Sequence, residues 1–404
     1  GIRALQAGKT HYTPAVGLAE LRHRIAQHYG DTYGVSIDPR RILITPGASG
    51  ALQLILGLLV DPGSEVVMTD PGYPCNRNFV YLYEGVPVSV AVEAKHGYQL
   101  TPELLQQRLS DKTSCVLIAT PSNPTGTLVS EDVLRGLLRV VREHGAALLV
   151  DEIYHGLTYA GTPNTALAQG EDLFVINSFS KYFGMTGWRL GWLVAPQDCV
   201  EALDTLAQNL FLAAPTPAQY AALAAFDRDT LEILEQRRAE FCRRRDFLLP
   251  ALRQIGFEIP VEPQGAFYIY ANCRRFTDDS FGFCRDLLED VDQANGPLMV
   301  IPGSHKGPLL SHHNNGVFAG AVDPDDPDFP FDRAVNDALM AGKTVIEYGE
   351  SDAEKAIRHV WVAIKTILDD PDFDIVSALR AHLDAPIVSS QPEFSAAHLD
   401  PLFD

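Results

Sequence analysis

The chain has 404 residues, 46% hydrophobic and 21% charged, with 31 Gly, 27 Pro and 6 Cys, which excludes disordered, collagen-like and disulfide-scaffold proteins. At roughly 100 to 200 residues per domain, the length accommodates two or three domains with real cores. The formal charge of −20 repels phosphate backbones and anionic lipid, so small molecules are the expected partners, not nucleic acid or membranes.

Short apolar runs alternate with segments of helical period. In chain order the pattern predicts a helix over Leu18 to Tyr29, a strand over Ile42 to Thr45, a helix over Gly50 to Leu59 and a strand over Glu65 to Thr69. Next come a strand over Val116 to Ala119, a helix over Ser130 to His144, and strands over Ala147 to Val150, Phe174 to Ile176 and Arg189 to Val194. A helix over Pro217 to Phe226, a long charged helix over Arg228 to Leu252 and a strand over Gly265 to Ala271 complete the pattern, the last opening a smaller α+β domain. Such alternation predicts an α/β fold with a mostly parallel central sheet flanked by helices, whose chemistry sits on loops at the carboxyl ends of the strands. The apolar stretch Ala51 to Val60 is about half of the ~20 residues that cross a bilayer and reads as a buried helix. The six cysteines form no CxxC pair and read as reduced thiols, which favours a cytoplasmic location.

Five elements carry candidate chemistry. In ITPGASGALQLIL, residues Gly47, Ala48 and Ser49 lead from a strand into a helix N-terminus, where free amides and a hydroxyl suit a phosphate. DPGYP sets Tyr73 on a rigid turn, where its ring stacks on a planar ligand or merely covers the core. In TPSNPTGT, two prolines and a glycine around Asn123 fix a turn that presents an amide to an oxygen, although an ordinary Asn-Pro turn looks the same. LLVDEIYHGL ends a strand in Asp151, which either holds a proton on a heteroaromatic nitrogen or caps the next helix, and Tyr154 could donate to a phenolate oxygen on the same ring. In SFSKYFGMTGWRLGW, Lys181 just beyond a strand is a candidate Schiff-base nucleophile, with Ser178 and Arg189 able to reach one anion; taken alone, a lysine or arginine there is far more often an ordinary surface residue. Together they describe one ligand with a phosphate, an aromatic nitrogen, a phenolic oxygen and an aldehyde, which is pyridoxal 5'-phosphate.

KTHYTPAVGLAELR, TPGASGAL, DPGYP, PSNPTGT, DEIYHGLTY, SFSKYFGMTGWRLGW and PQGAFYIY occur in the order found in the class I/II aminotransferases of fold type I, and residues 1–290 resemble that family. The resemblance implies a PLP-dependent transferase of fold type I. It implies Lys181 as Schiff base and proton shuttle, Asp151 on the pyridine nitrogen, Asn123 and Tyr154 on the ring oxygen, and Tyr73 stacked on the ring. Gly47, Ala48, Ser49, Ser178 and Arg189 would hold the phosphate, joined by Tyr12 from a neighbouring subunit, so a homodimer with shared active sites is implied. The expected reaction is ping-pong transamination between an amino acid and a 2-oxo acid, with a lyase, decarboxylase or synthase on the same fold, or a catalytically impaired PLP-binding chimera, as the alternatives.

The expected organisation is a large PLP-binding domain over 1–205, a small domain over 206–367 with 291–343 atypical, and an acidic tail over 368–404. From residue 291 onward, 19 acidic and 7 basic side chains carry −12 of the net charge. The start of the chain lies in mid-pattern for the family, without the usual upstream arm and glycine turn. No evident arginine strand for the substrate carboxylate follows Pro302-Gly303-Ser304, which leaves Arg358 as the candidate beside Asn123. Residues 295–335 resemble a piece of the phytanoyl-CoA dioxygenase family, but His-x-Asp pairs occur only downstream, at His382 and His398, so no metal is expected.

Overall fold

The computed structural model describes residues 1–159, 161, 163–289, 313–314 and 317–318. Two compact units divide the chain, Gly1–Asn272 and Cys273–Asp404. In the first, the elements run α1 (Ile2–Gln6), α2 (Ala19–Tyr33), β1 (Ile42–Thr45), α3 (Gly47–Leu59), β2 (Glu65–Asp70), α4 (Cys75–Leu82), β3 (Val86–Ala91) and α5 (Pro102–Gln106). They continue through β4 (Thr113–Ala119), α6 (Glu131–His144), β5 (Ala147–Asp151), β6 (Phe174–Ser178), β7 (Gly191–Val194), α7 (Val200–Leu210), α8 (Thr216–Leu223) and α9 (Arg228–Ile255). In the second unit, α10 (Ser280–Glu289) and the short pair β8 (His313–Asn314) and β9 (Val317–Phe318) are described.

β1 to β7 form one sheet in the order β1-β7-β6-β5-β4-β2-β3. β2, β3, β4, β5 and β6 pair in parallel, whereas β7 runs antiparallel to both β1 and β6. The sheet alternates its apolar side chains between two layers, as a pleat with period two requires. Ile44, Val67, Val116, Val150, Val175 and Trp192 pack with Leu21 and Ile25 of α2 and Leu137 and Val141 of α6. Leu43, Val66, Leu117, Leu149, Ile176 and Leu193 pack with Leu54 and Ile55 of α3 and Leu203 of α7. Strands covered on both faces read as continuous apolar runs, which is why β1, β4, β5 and β6 stand out in the sequence.

The boundaries follow local chemistry. Ser130 caps α6 by accepting from the Val133 N–H; Glu131 and Asp132 occupy its first turn, and Gly145 ends it in the left-handed region. Two predicted strands are corrected. Arg189 is not the start of β7; it sits in a left-handed conformation (φ 50°, ψ 54°) after a 3-10 turn, and β7 begins at Gly191. Gly265 to Ala271 is no strand: it makes only isolated bridges, Thr158 with Gly265 and, beside it, Glu258 with Asn272, and Ala266 takes a positive φ of 57° that breaks extension. Its amides are spent on loops instead, Gly265 N–H on Gly126 O and Ala266 N–H on Leu157 O.

The register aligns the strand ends. Thr45, Gly191 and Ser178 share one rung, and Ala119, Asp151 and Ile176 another. Because β7 is antiparallel, its beginning lies at the edge where its neighbours finish. A Cβ on Gly191 would stand 2.8 Å from Gly47 C, 2.9 Å from Ala48 N and 2.9 Å from Asn177 O, all rigid backbone. Gly191→Ala is therefore expected to cost about 2–3 kcal/mol in chemical denaturation, by forcing the start of α3 away from the sheet.

Candidate active site

Each element named by the sequence pattern opens on that edge. Asp151 is the last residue of β5; its carbonyl accepts the Thr120 N–H (3.0 Å) and its carboxylate Oδ1 accepts the Ile153 N–H (2.9 Å). The carboxyl keeps some solvent exposure, yet the dense protein around it pushes its pKa up to about 6, against the opposing pull of the Ile153 amide and the Lys181 ammonium.

Lys181 follows β6 by three residues and is half-buried. Its Nζ lies 5.7 Å from the ring centroid of Tyr154 and 5.7 Å from that of Phe267. Burial lowers its pKa, with Arg189 adding to the effect and Asp151 opposing it. No acidic side chain among the described residues comes within ion-pair distance of the amine. A half-buried amine with a lowered pKa and no ion pair among the described residues has the properties that favour a nucleophile.

Tyr154 is buried, and its Oη lies 2.7 Å from that of Tyr268. Tyr73 follows β2, is 42% exposed, and its phenol is pushed up to about 12, chiefly by burial, then by Cys75 and by the neighbouring Tyr268 and Asp151. Asn123 is half-buried on the turn after β4, where Gly126 N–H bonds Ser122 O (2.8 Å).

The candidate anion seat has two sides. Gly47 opens α3 at φ 72°, and a Cβ there would stand 2.8 Å from a terminal nitrogen of Arg189, so the guanidinium lies directly over this glycine. No side chain caps α3, leaving the amides of Gly47, Ala48 and Ser49 free of helical partners. Ser178 differs from its neighbours. Its hydroxyl is engaged within its own loop, 3.1 Å from Leu190 O and 3.0 Å from Ser180 Oγ, and accepts the Ser180 N–H.

Tyr12 is 80% exposed on a segment tied to α8 by Thr216 Oγ1 donating to His11 O, and it joins none of these groups within the chain. Arg358, the 295–335 segment and the His-x-Asp pairs lie outside the described residues, the backbone of β8 and β9 apart. Among the described residues, no group of three or more His, Cys, Asp or Glu is placed to hold a metal ion.

Two features escape the sequence pattern. Phe267 and Tyr268 stand against Lys181 and Tyr154, although PQGAFYIY gives no sign of which aromatic does so. Glu152 is fully buried beneath Asp151, where it accepts from Thr165 Oγ1 and from Ala166 N–H (2.6 Å) and lies 3.4 Å from His155 Nδ1. Burial pushes Glu152 up to about 8 and His155 down to about 3, so both are neutral near pH 7. Since the folded Glu152 keeps a proton that the unfolded chain releases near pH 4.5, its contribution to stability is complete below that pH and is lost as pH rises toward 8. Glu152→Gln is expected to flatten this decline in urea unfolding of the cofactor-free protein at pH 5 and pH 8.

The pattern "Aminotransferase class I and II" matches residues 3–294. The valine–pyruvate aminotransferase of Mycobacterium tuberculosis is 36% identical over 296 residues, 73% of this chain and 76% of that protein. The chain belongs to the class I and II aminotransferases. The (5-formylfuran-3-yl)methyl phosphate transaminase of Methanocaldococcus jannaschii is a second relative, 38% identical over 72% of this chain and 75% of its own. Among solved structures, an aminotransferase from Mycobacterium tuberculosis superposes with a TM-score of 0.69 at 36% identity, covering 72% of this chain and 75% of that one. Aspartate aminotransferase of Thermus thermophilus with maleate superposes with a TM-score of 0.69 at 31% identity, covering 71% and 76%. The fold is type I α/β, and the protein is an amino acid aminotransferase acting on amino and 2-oxo acids, in a family that uses pyridoxal phosphate. No helix among the described residues is long and apolar enough to cross a membrane.

Proposed function

We propose that this aminotransferase holds pyridoxal 5'-phosphate at the sheet edge, with its aldehyde carbon at Lys181 and its ring nitrogen at Asp151, and works by ping-pong transamination. The residues fit that group. Gly47 leaves room beneath the Arg189 guanidinium, free α3 amides face the same place, and a half-buried lysine without an ion pair lies near a half-buried carboxyl. When bound, the cofactor supplies an aldehyde that condenses with amines and a ring that accepts the electrons of a deprotonated α-carbon.

The chain's own residues do the remainder. The fixed charge of Arg189 and the amides of Gly47, Ala48 and Ser49 bind the phosphate, with the Ser49 hydroxyl beside them. Ser178 joins them only by turning its proton away from Leu190 O. Asp151 keeps a proton on the ring nitrogen; a cation there lowers the carboxyl pKa from about 6, so the carboxylate is ionised at neutral pH. Asn123 and Tyr154 would donate to the ring oxygen, and the Tyr73 ring would offer a stacking surface. The Lys181 amine would hold the cofactor at its aldehyde and, once free, would act as the base that takes up and carries the proton of the substrate α-carbon. Its lowered pKa raises the share of the neutral form able to accept that proton.

The observation that carries this reading is the Lys181 amine, set 5.7 Å from the Tyr154 ring and electrostatically coupled to Asp151. Tyr12, exposed in the single chain, supports a homodimer in which the partner copy of this tyrosine reaches the phosphate. Arg358 remains the proposed carboxylate ligand, and the reduced cysteines support a cytoplasmic location. Relatives named for valine–pyruvate and aspartate transfer set the first donors to screen. Valine and aspartate, each with pyruvate and 2-oxoglutarate, are expected to give 2-oxo acid product from at least one pair. Cofactor-loaded protein that transfers no amino group from any amino acid donor would overturn the proposal.

A further inference from the structure

Tyr154 carries two demands on one hydroxyl. A phenol has one proton to donate and two lone pairs to accept with. Its Oη lies 2.7 Å from Tyr268 Oη, the normal length of an O–H···O bond, and either oxygen can be the donor there. If Tyr154 gives its proton to Tyr268, nothing remains for a cofactor oxygen. Only the opposite arrangement, with Tyr268 donating, leaves the Tyr154 proton available.

The backbone holds Tyr268 where this choice is forced. Gln264 N–H and Gly265 N–H both bond Gly126 O (2.9 Å each), and Ala266 N–H bonds Leu157 O (2.8 Å). A Cβ on Gly265 would stand 2.7 Å from Pro121 Cγ, so the segment is pressed onto the two loops that carry Asn123 and Tyr154. The rings of Tyr154 and Tyr268 meet edge to face, with centroids 5.7 Å apart and planes at 79°. Among the described residues, the titratable groups near the pair are Asp151, Tyr73 and Lys181.

We propose that Tyr268 is a positioning residue that donates its phenolic proton to Tyr154, directs the Tyr154 proton onto the ring oxygen of the cofactor, and thereby sets the basicity of the nitrogen joining cofactor and Lys181. This inference rests on the proposed place of pyridoxal phosphate at Lys181. Donors in series polarise one another, so Tyr154 is a stronger donor when Tyr268 donates to it. A strong donor draws charge from the ring oxygen, and the nearby protonated nitrogen then has less negative charge to stabilise it. Weakening the donor raises the pH at which that nitrogen loses its proton.

The test is a pH titration of the absorbance of cofactor-loaded protein, which reports that proton without turnover. Tyr268→Phe keeps the ring that packs at 4.8 Å on Phe267 and removes only the donor. The midpoint is expected to rise by about half a pH unit in Tyr268→Phe. It rises further in Tyr154→Phe, and the double variant matches Tyr154→Phe, since Tyr268 acts only through Tyr154. An unmoved midpoint in Tyr268→Phe, or the same shift in the Tyr154→Phe background, overturns the relay and leaves the Lys181 assignment intact. Absence of any titrating band in the parent protein overturns both.

Discussion

Lys181→Ala is expected to lower kcat/KM by at least about 10⁴-fold while leaving cofactor affinity within about an order of magnitude. In the proposed reaction the amine serves twice, as the group that holds and releases the cofactor and as the carrier of the α-proton. A positioned acid–base group alone is worth about 10² to 10⁴ in rate, and alanine offers no substitute for either role. The proposed seat for the phosphate is separate from it: the Gly47–Ser49 amides and Arg189 do not depend on the lysine. Folding is spared as well, because a half-buried ammonium without an ion pair costs solvation that alanine recovers. Steady-state kinetics, equilibrium dialysis and thermal unfolding on the same preparation separate these effects. A loss of rate accompanied by loss of fold or cofactor would assign the lysine a structural role instead.

Asp151→Asn is expected to lower kcat by roughly 10²–10³-fold and to change how cofactor binding depends on pH. Asparagine preserves the shape and can still accept the Ile153 N–H, so the difference isolates charge. In the free protein the carboxyl titrates at about 6 because burial disfavours its ionised form. Above that pH it is ionised and ready for a protonated ring; below it, binding must first displace a proton from the carboxyl. Affinity in the parent protein therefore falls as pH drops through 6, by up to about tenfold per unit. In the asparagine variant this dependence is expected to weaken, leaving only what the phosphate and the Lys181 amine contribute. Equal pH profiles would mean that Asp151 does not face the ring nitrogen.

Much of the sheet edge was legible because the chemistry of buried parallel strands is plain in sequence. β5 reads Ala-Leu-Leu-Val-Asp, and the abrupt change from apolar to acidic marks both the end of the strand and the beginning of the site. β3 was not legible: it is a half-exposed strand containing Pro87, at the edge of the sheet among the described residues beside β2, and lacks the unbroken apolar run. The segment Gly265 to Ala271 misled for the opposite reason. Its residues favour extension, but the left-handed Ala266 and the close approach to Gly126 and Leu157 are decided by loops more than a hundred residues away in sequence. The same long-range contact hid Tyr268. Nothing local marks which hydroxyl in the aromatic and apolar run Ala266 to Ala271 will meet that of Tyr154. Glu152 was hidden differently, since a carboxylate beside Asp151 looks solvated until Thr165 and Ala166 close over it. Periodicity and end-of-strand chemistry therefore carry the scaffold and the principal contacts, while the groups that tune them come from tertiary approach.

The decisive measurement is reduction of the pyridoxal phosphate-loaded protein with borohydride, followed by peptide mapping by mass spectrometry. A stable pyridoxyl adduct confined to the peptide containing Lys181 is the expected result. An adduct on a different lysine, or none on a protein that turns over, would contradict the place assigned to the cofactor.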